Sequence, residues 1–175
     1  MAPKKVVSPP ARVRLPIVAI ENARIFFRNF TGKPGKFNRE GDRSFCVHIE
    51  DIEMAKDLKS QGWNIRMTKP RSEEDSPEAY VQVKVSYAKF PPKVALINGK
   101  NKQTYLDEES IQLLDWAEIA SVDLILNPSV WNVNGNTGVK AYLKTAYVTI
   151  IEDAFEKKYQ NPADTGEDEN ESDSD

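Results

Sequence analysis

The chain has 175 residues, 39% of them hydrophobic, which is enough for one modest core with tails. No apolar run approaches the roughly 20 residues of a membrane span. Residues 1–16 lack the apolar region of a signal peptide. The single cysteine, Cys46, excludes an internal disulfide and fits a reducing compartment. We therefore expect a cytosolic or nuclear protein without membrane contact.

The net charge of −3 conceals an uneven distribution. From Asp164 to the last residue, Asp175, the chain has seven acids and neither Lys nor Arg, which leaves 24 bases against 20 acids elsewhere. Residues 1–48 alone carry ten bases and three acids. Because the distribution of charge sets the local field, the body of this acidic chain can attract a polyanion.

Composition divides the chain into three parts. Residues 1–16, rich in proline and cations, are predicted to form a flexible basic arm, and residues 161–175 a disordered acidic tail. Residues 17–160 are predicted to form one domain, since neither a linker nor an internal repeat interrupts them.

The domain is predicted to begin with a hairpin. Residues 17–30 read as a long strand, in which Ile25 and Phe27 lie on the face opposite to Phe26 and Phe30. Residues 31–42 form a loop rich in glycine, and residues 43–49 the second strand. Further strands are predicted at residues 63–68, 79–87, 94–97, 103–106, 121–133 and 139–151, and short helices at residues 51–61, 107–114 and 152–159.

Many strands with few, short helices favour a mainly β fold. A five-stranded, mostly antiparallel barrel with short helices and extra strands fits the OB-fold, which binds oligonucleotides on an open strand face. Residues 139–151 are expected to place Val139, Ala141, Leu143, Thr145 and Tyr147 on one face. Pro128 marks the preceding strand as an edge or bulged strand.

Cations alternate with aromatic rings between residues 24 and 45, and the alternation returns on the strands around Tyr80 and Tyr142. Single-stranded nucleic acid needs both groups, since cations meet its phosphates and rings stack on its bases. Trp131 lies near a turn, where partial exposure is expected. The candidate binding residues are Arg24, Phe26, Arg28, Phe30, Lys33, Lys36, Phe37, Arg39, Arg43, Tyr80, Lys84, Trp131, Lys140, Tyr142 and Lys144. Burial in the core is the competing interpretation for each Phe except Phe37, which lies in a loop.

Nothing in the sequence favours catalysis. Cys46 and His48 lie two residues apart, but a metal site would need two more soft ligands, and the chain has no other Cys or His. No third group is in place to orient a Cys–His nucleophile. The sequence therefore predicts no enzyme, no metal and no cofactor.

Several short runs are similar to the OB-fold single-stranded DNA-binding proteins of tailed bacteriophages. The runs are Asn29-Phe30-Thr31-Gly32, Gly41-Asp42-Arg43-Ser44-Phe45, Gly62-Trp63-Asn64 and Gly138-Val139-Lys140-Ala141-Tyr142-Leu143, the last leading to Val148-Thr149-Ile150-Ile151-Glu152-Asp153. The resemblance covers roughly residues 17–159 and extends to the acidic tail. It implies sequence-tolerant binding of single-stranded DNA in phage replication, recombination or repair, in the cytoplasm of a bacterial host. Many such tails end in an apolar residue, whereas this chain ends in Ser174 and Asp175.

Two other interpretations use the same residues. The chain could be a scaffold whose acidic tail recruits basic partners, with the rings merely core, or it could bind single-stranded RNA by the same physics. The tail itself could confer solubility, compete with nucleic acid for the basic face, or dock replication or recombination proteins. The sequence leaves open whether the protein is a monomer or a dimer.

Overall fold

The computed structural model describes residues 15–36, 38–88 and 91–151. Nine strands occur in these residues: β1 Val18–Ile20, β2 Ile25–Asn29, β3 Arg43–His48, β4 Arg66–Met67, β5 Ala79–Val85, β6 Lys93–Ile97, β7 Gln103–Leu106, β8 Ile119–Val133 and β9 Asn136–Ile150. Helix α1 spans Ile52–Ser60, and a 3-10 helix spans Ile111–Asp115. No helix in the described part of the chain is long and apolar enough to cross a membrane. The prediction of a mainly β fold is confirmed.

Strand β9 lies at the centre of the sheet. One edge pairs antiparallel with β8 along nearly its whole length. The other edge pairs in parallel with β5 at residues 141–142 and with β6 at residues 145–149. Six strands follow the open order β1-β8-β9-β5-β3-β2, while β4 pairs with β5, and β6 pairs with β7 and β9. The sheet thus combines the expected antiparallel pairs with two parallel ones, β5–β9 and β6–β9.

One extra residue in β9 changes which side chains face the core. Leu126 pairs with Leu143, but Ile125 pairs with Thr145, so Lys144 forms a β-bulge. The buried residues of β9 are Val139, Ala141 and Leu143 before the bulge and Ala146, Val148 and Ile150 after it. The prediction that Thr145 and Tyr147 share a face with Leu143 is therefore wrong.

The strand predicted at residues 17–30 is two strands with different partners. Between them Asn22 adopts a φ of 51° and its backbone N–H donates to Asp123. This turn lets β1 pair with β8, while β2 pairs antiparallel with β3 as expected for the hairpin.

A second bulge lies within β2, at Phe27, whose φ is 49°. The extra residue inverts the alternation of the strand. Phe30, expected to share a face with Phe26, is buried instead and stacks on Phe45 with the ring centroids 5.2 Å apart. The assignment of Phe30 to an open binding face is thus corrected to the core.

Several predicted elements have shifted boundaries. The strand predicted at residues 63–68 is reduced to Arg66–Met67, and the helix predicted at residues 107–114 is replaced by the 3-10 helix. The carboxylate of Asp51 caps α1 by accepting from two backbone N–H groups. Pro128 lies in β8 beyond Leu126, the last residue that β1 covers, so no neighbouring strand needs its missing N–H. The basic arm up to residue 14 and the predicted helix at residues 152–159 lie outside the described residues.

Asp115 ties the first hairpin to the 3-10 helix. Its carboxylate accepts hydrogen bonds from the backbone N–H groups of Phe30 and Thr31 and from the Thr31 hydroxyl. These donors are partly buried, so water cannot fully replace the carboxylate. This contact fixes the point where β2 leaves the sheet and the loop begins.

We expect Asp115→Ala to lower the free energy of unfolding by about 2–4 kcal/mol, because three donors lose a charged acceptor. Urea denaturation measures the loss. Asp115→Asn keeps one acceptor oxygen and should lose less. Equal losses in the two variants would contradict a role through these hydrogen bonds.

Candidate nucleic-acid interface

Strand register places a set of side chains on one side of the sheet, opposite to the core. Side chains alternate along a strand, and residues paired across strands share a face. We call this surface the outer face. Its members are Phe26 of β2, Ser44, Cys46 and His48 of β3, Tyr80, Gln82 and Lys84 of β5, Gly138, Lys140 and Tyr142 of β9, and Asn127, Ser129 and Trp131 of β8. The fold thus brings together candidate residues that are more than 100 positions apart in the sequence.

A cleft of about 630 Å³ opens where β5, β9 and the tip of the β8–β9 hairpin meet. Lys59, Lys84 and Lys140 line it, together with the indole of Trp131. The described residues that line this cleft include no Asp or Glu. The described lining therefore carries a net positive charge, and we call this cleft the basic cleft.

Trp131 owes its place in the basic cleft to Gly138, its partner on β9. A Cβ atom on Gly138 would lie 2.5 Å from a carbon of the indole, closer than real Cβ contacts allow. Only glycine at this position lets the ring lie against β9. The hairpin that carries both residues turns at Asn134 and Gly135, with φ values of 52° and 85°, as a two-residue turn of type I′ requires.

Aromatic rings form a patch at the other end of the outer face. Phe26 stacks on His48 with the centroids 4.4 Å apart, and its edge contacts Tyr80 at 5.2 Å. Burial, followed by the charge of Arg24, lowers the pKa of His48. The imidazole is therefore neutral at pH 7 and adds an uncharged ring to the patch.

Phe27 is an exposed ring that the period-two pattern missed. The alternation predicts a core position beside Ile25, but the Phe27 side chain is 75% exposed and its edge contacts Phe26 at 4.8 Å. Its left-handed backbone costs about 1–2 kcal/mol for a residue other than glycine. The bulge at Phe27 shows only in the register against β3, so no local pattern in the sequence predicts the exposure of this ring.

Arg24 lies on the acidic side of the aromatic patch. Its guanidinium donates to Glu50 at 2.6 Å and to Glu78 at 2.9 Å. The bond to Glu50, with that to Glu78, raises the pKa of Arg24, and Arg24 in turn lowers the pKa of Glu78. Two carboxylates thus offset one cation, which makes this end of the face less favourable for a phosphate than the basic cleft.

Two more candidate arginines have partners within the protein. Arg28 donates from Nη1 to the carbonyl oxygens of Leu114 and Ala117, at 2.8 and 2.9 Å, beside the end of the 3-10 helix. Arg43 lies over the ring of Tyr87, 5.6 Å from its centroid, and 3.4 Å from a carboxylate oxygen of Glu108. Both arginines therefore have evident structural roles in the first hairpin.

The loop at residues 31–42 exposes three candidate cations, Lys33, Lys36 and Arg39. The side-chain amide of Asn38 donates to three carbonyl oxygens within the loop, and the N–H of Gly41 donates to Gly32 at 2.8 Å. A Cβ on Gly32 would lie 3.0 Å from the backbone of Gly41, so this crossing needs glycine. Phe37, the ring proposed within this loop, lies outside the described residues. The remaining candidate, Lys144, is exposed at the β9 bulge.

The cysteine and histidine of β3 lie in surroundings that suit packing. Cys46 is buried, and burial raises the pKa of its thiol, which keeps it protonated. Within the described ranges, no three residues of the His, Cys, Asp and Glu types are grouped as a metal ion would require.

Comparison with known proteins connects the chain to phage proteins. Residues 7–175 match the family described as "Putative phage ssDNA-binding domain". The fold is similar to that of the C-terminally truncated single-stranded DNA-binding protein from bacteriophage Enc34, with 12% identity, a TM-score of 0.51, and coverage of 77% of this chain and 85% of that chain. A structure of the Enc34 protein in complex with ssDNA gives 13% identity, a TM-score of 0.48, and coverage of 75% and 85%. No curated protein matches the chain.

The strain at Phe27 can be tested by stability. We expect Phe27→Gly to be more stable than Phe27→Ala by about 1 kcal/mol, because glycine adopts this φ without steric cost. The usual order in a strand is the reverse, with glycine about 0.5–1 kcal/mol less stable than alanine. Thr104, an exposed β7 residue without a positive φ, provides the control pair and should show the usual order. The same order at both positions would contradict strain at Phe27.

Proposed function

This chain belongs to the family of phage single-stranded DNA-binding domains, and we propose that it binds single-stranded DNA with little dependence on base sequence. We further propose that this binding serves phage DNA replication, recombination or repair. The basic cleft carries the proposal, because three lysines and an indole line it and none of its described lining residues is a carboxylate. A flexible polyanion with flat bases is the ligand that fits cations beside an aromatic ring.

The outer face offers a path for the strand beyond the cleft. Tyr142 lies beside Lys84 in the parallel register of β9 and β5, so a ring and a cation alternate across the two strands. Tyr80 follows on β5 and leads to the patch of Phe26 and Phe27. Stacking suits any base, because every base has a π face, and this supports sequence-tolerant binding.

We propose a binding role rather than an enzymatic one. The cysteine and the histidine of the outer face are engaged in packing. Cys46 is a buried, protonated thiol, and His48 is a neutral ring stacked on Phe26. Binding by charge and stacking needs neither of them as an acid, a base or a nucleophile.

The acidic tail, residues 161–175, lies outside the described residues. Its seven carboxylates suit a basic partner, and we propose that it contacts replication or recombination proteins. The division into arm, domain and tail stays a prediction.

Binding can be tested by titrating tryptophan fluorescence with oligo-dT at several salt concentrations. We expect saturable binding that weakens steeply with salt, and much weaker binding of a duplex of equal length. Lys140→Gln should reduce the slope of log K against log salt by about 0.7, the value for one phosphate contact on a single strand. Lys56→Gln is the charge-matched control, because Lys56 lines a different cleft, shared with Glu50 and Glu78.

The absence of binding to oligo-dT at low salt would overturn the proposal and leave the scaffold interpretation. Equal affinity for duplex would reduce the interaction to simple charge attraction. Tighter binding to oligo-U than to oligo-dT would assign the site to RNA.

Two substitutions test whether the Trp131 indole stacks on a base: one removes the indole, and the other displaces it. Trp131→Ala should weaken oligo-dT binding about 5- to 150-fold, the equivalent of the roughly 1–3 kcal/mol for one stacked base. Gly138→Val keeps the indole but displaces it from β9, so we expect a loss in the same range. Trp116→Ala removes an indole that is 59% exposed but does not line the cleft, and it should bind as the unaltered chain does. Unchanged affinity in Gly138→Val, with an unaltered circular dichroism spectrum, would contradict stacking on Trp131.

A further inference from the structure

A second group of rings with one cation lies on β6, β7 and β9, apart from every candidate residue considered above. The Nζ atom of Lys93 is 5.5 Å from the ring centroid of Tyr105 and 5.8 Å from that of Tyr147. Ala95 pairs with both tyrosines and is fully buried, at 0% exposure. The two rings thus flank a small residue and share one cation.

The bulge at Lys144 places this group on the same side of the sheet as the basic cleft. Before the bulge Leu143 is buried and Tyr142 faces outward; after it Ala146 is buried and Tyr147 faces outward. Without the extra residue, Tyr147 would point into the core. About four strand rises, or about 13 Å at about 3.3 Å per residue, separate Tyr142 from Tyr147 along β9.

Folding alone does not account for the exposure of this group. Tyr105 is 59% exposed, and its hydroxyl makes one long contact, at 3.5 Å, with Gln103. An exposed cation–π contact contributes only about 0.5–1 kcal/mol. An open ring beside a lysine is therefore better suited to a ligand than to stabilising the sheet.

The charge around the group is compatible with a phosphate. The register places one acid beside it, Asp123, which pairs with Tyr147 from β8. Its carboxylate accepts a hydrogen bond from the backbone N–H of Asn22 at 2.9 Å and so holds the turn between β1 and β2. Lys93 lies on β6, on the opposite edge of β9 from this acid.

We propose that Tyr105, Tyr147 and Lys93 form a second stacking subsite, which binds nucleotides that continue the strand held in the basic cleft. Tyr105 stacks on a base, and Lys93 contacts an adjoining phosphate. The occupant is the same DNA strand, because the subsite shares one face and one chemistry with the cleft. This inference rests on the proposed function, and it adds that the binding site extends along β9 past the bulge.

The test compares oligo-dT of about 6 nucleotides with oligo-dT of about 16 nucleotides. One OB-fold binds about 4–16 nucleotides, so the two lengths represent a short and a long site. Tyr105→Ala should weaken binding of the longer oligonucleotide at least about 5-fold, as for one stacked base, and leave the shorter one unchanged. Tyr105→Phe keeps the ring and should restore the affinity. Lys93→Gln should reduce the salt slope by about 0.7 for the longer oligonucleotide only.

Controls separate this inference from the proposed function. Trp131→Ala should weaken both lengths, because the cleft takes part in binding either one. If it does so while Tyr105→Ala and Lys93→Gln leave both lengths unchanged, or weaken both equally, the second subsite is overturned and the proposed function stands. If the unaltered chain binds neither length, both are overturned.

Discussion

The architecture depends on strand β9, which hydrogen-bonds to three neighbouring strands. Strand β9 pairs antiparallel with β8 on one edge and in parallel with β5 and then β6 on the other. The change of partner falls between Tyr142 and Thr145, and the single bulged residue, Lys144, lies in that interval. A bulge bends and twists a strand locally, and here it coincides with the point where β6 replaces β5 as the parallel partner of β9. The core on both sides of the bulge is continuous because the alternation resets there.

A β-bulge also occurs at Phe27 in β2, and the two bulges together determine which aromatic rings are exposed. A strand of strict period two would bury Phe27 and Tyr147 and expose Phe30. With one extra residue in each strand, Phe30 joins Phe45 in the core, while Phe27 and Tyr147 face away from it. Which rings the outer face exposes thus depends on two local irregularities.

The sequence predicts this fold well where local physics acts alone. The alternation of Val81, Val83 and Val85, the Asp51 cap and the hairpin of β2 and β3 are local features, and the structure has them all. The bulges are different, because an extra residue is detected only by comparison with the partner strand. The apolar residues Ala146 and Val148 do indicate the bulge in β9, because they are out of phase with Leu143 in a strand of period two.

In the candidate site, too, the sequence predicts the placement of some residues, whereas the role of others depends on the tertiary structure. Alternation and turn signals predict Trp131, Lys84 and Lys140 as binding residues, and strand pairing brings the three to one cleft. Arg28 carries the same local signal, yet it bonds two carbonyl oxygens more than 80 residues away. The partner of a cation is determined by the tertiary structure. A sequence pattern of Arg and Phe therefore cannot distinguish a cation that contacts phosphate from one that is hydrogen-bonded within the protein.

The backbone conformation of Phe27 is unusual for its residue type. Among the described residues, four other than glycine have positive φ: Asn22, Asn101, Asn134 and Phe27. Asparagine tolerates this conformation, because its short side chain can bond locally, whereas phenylalanine has no such compensation. Phe27 also gains little from burial, since three quarters of its side chain is exposed. Backbone strain of this kind clusters at ligand-binding sites, which supports a place for the exposed Phe27 ring at the end of the proposed binding path.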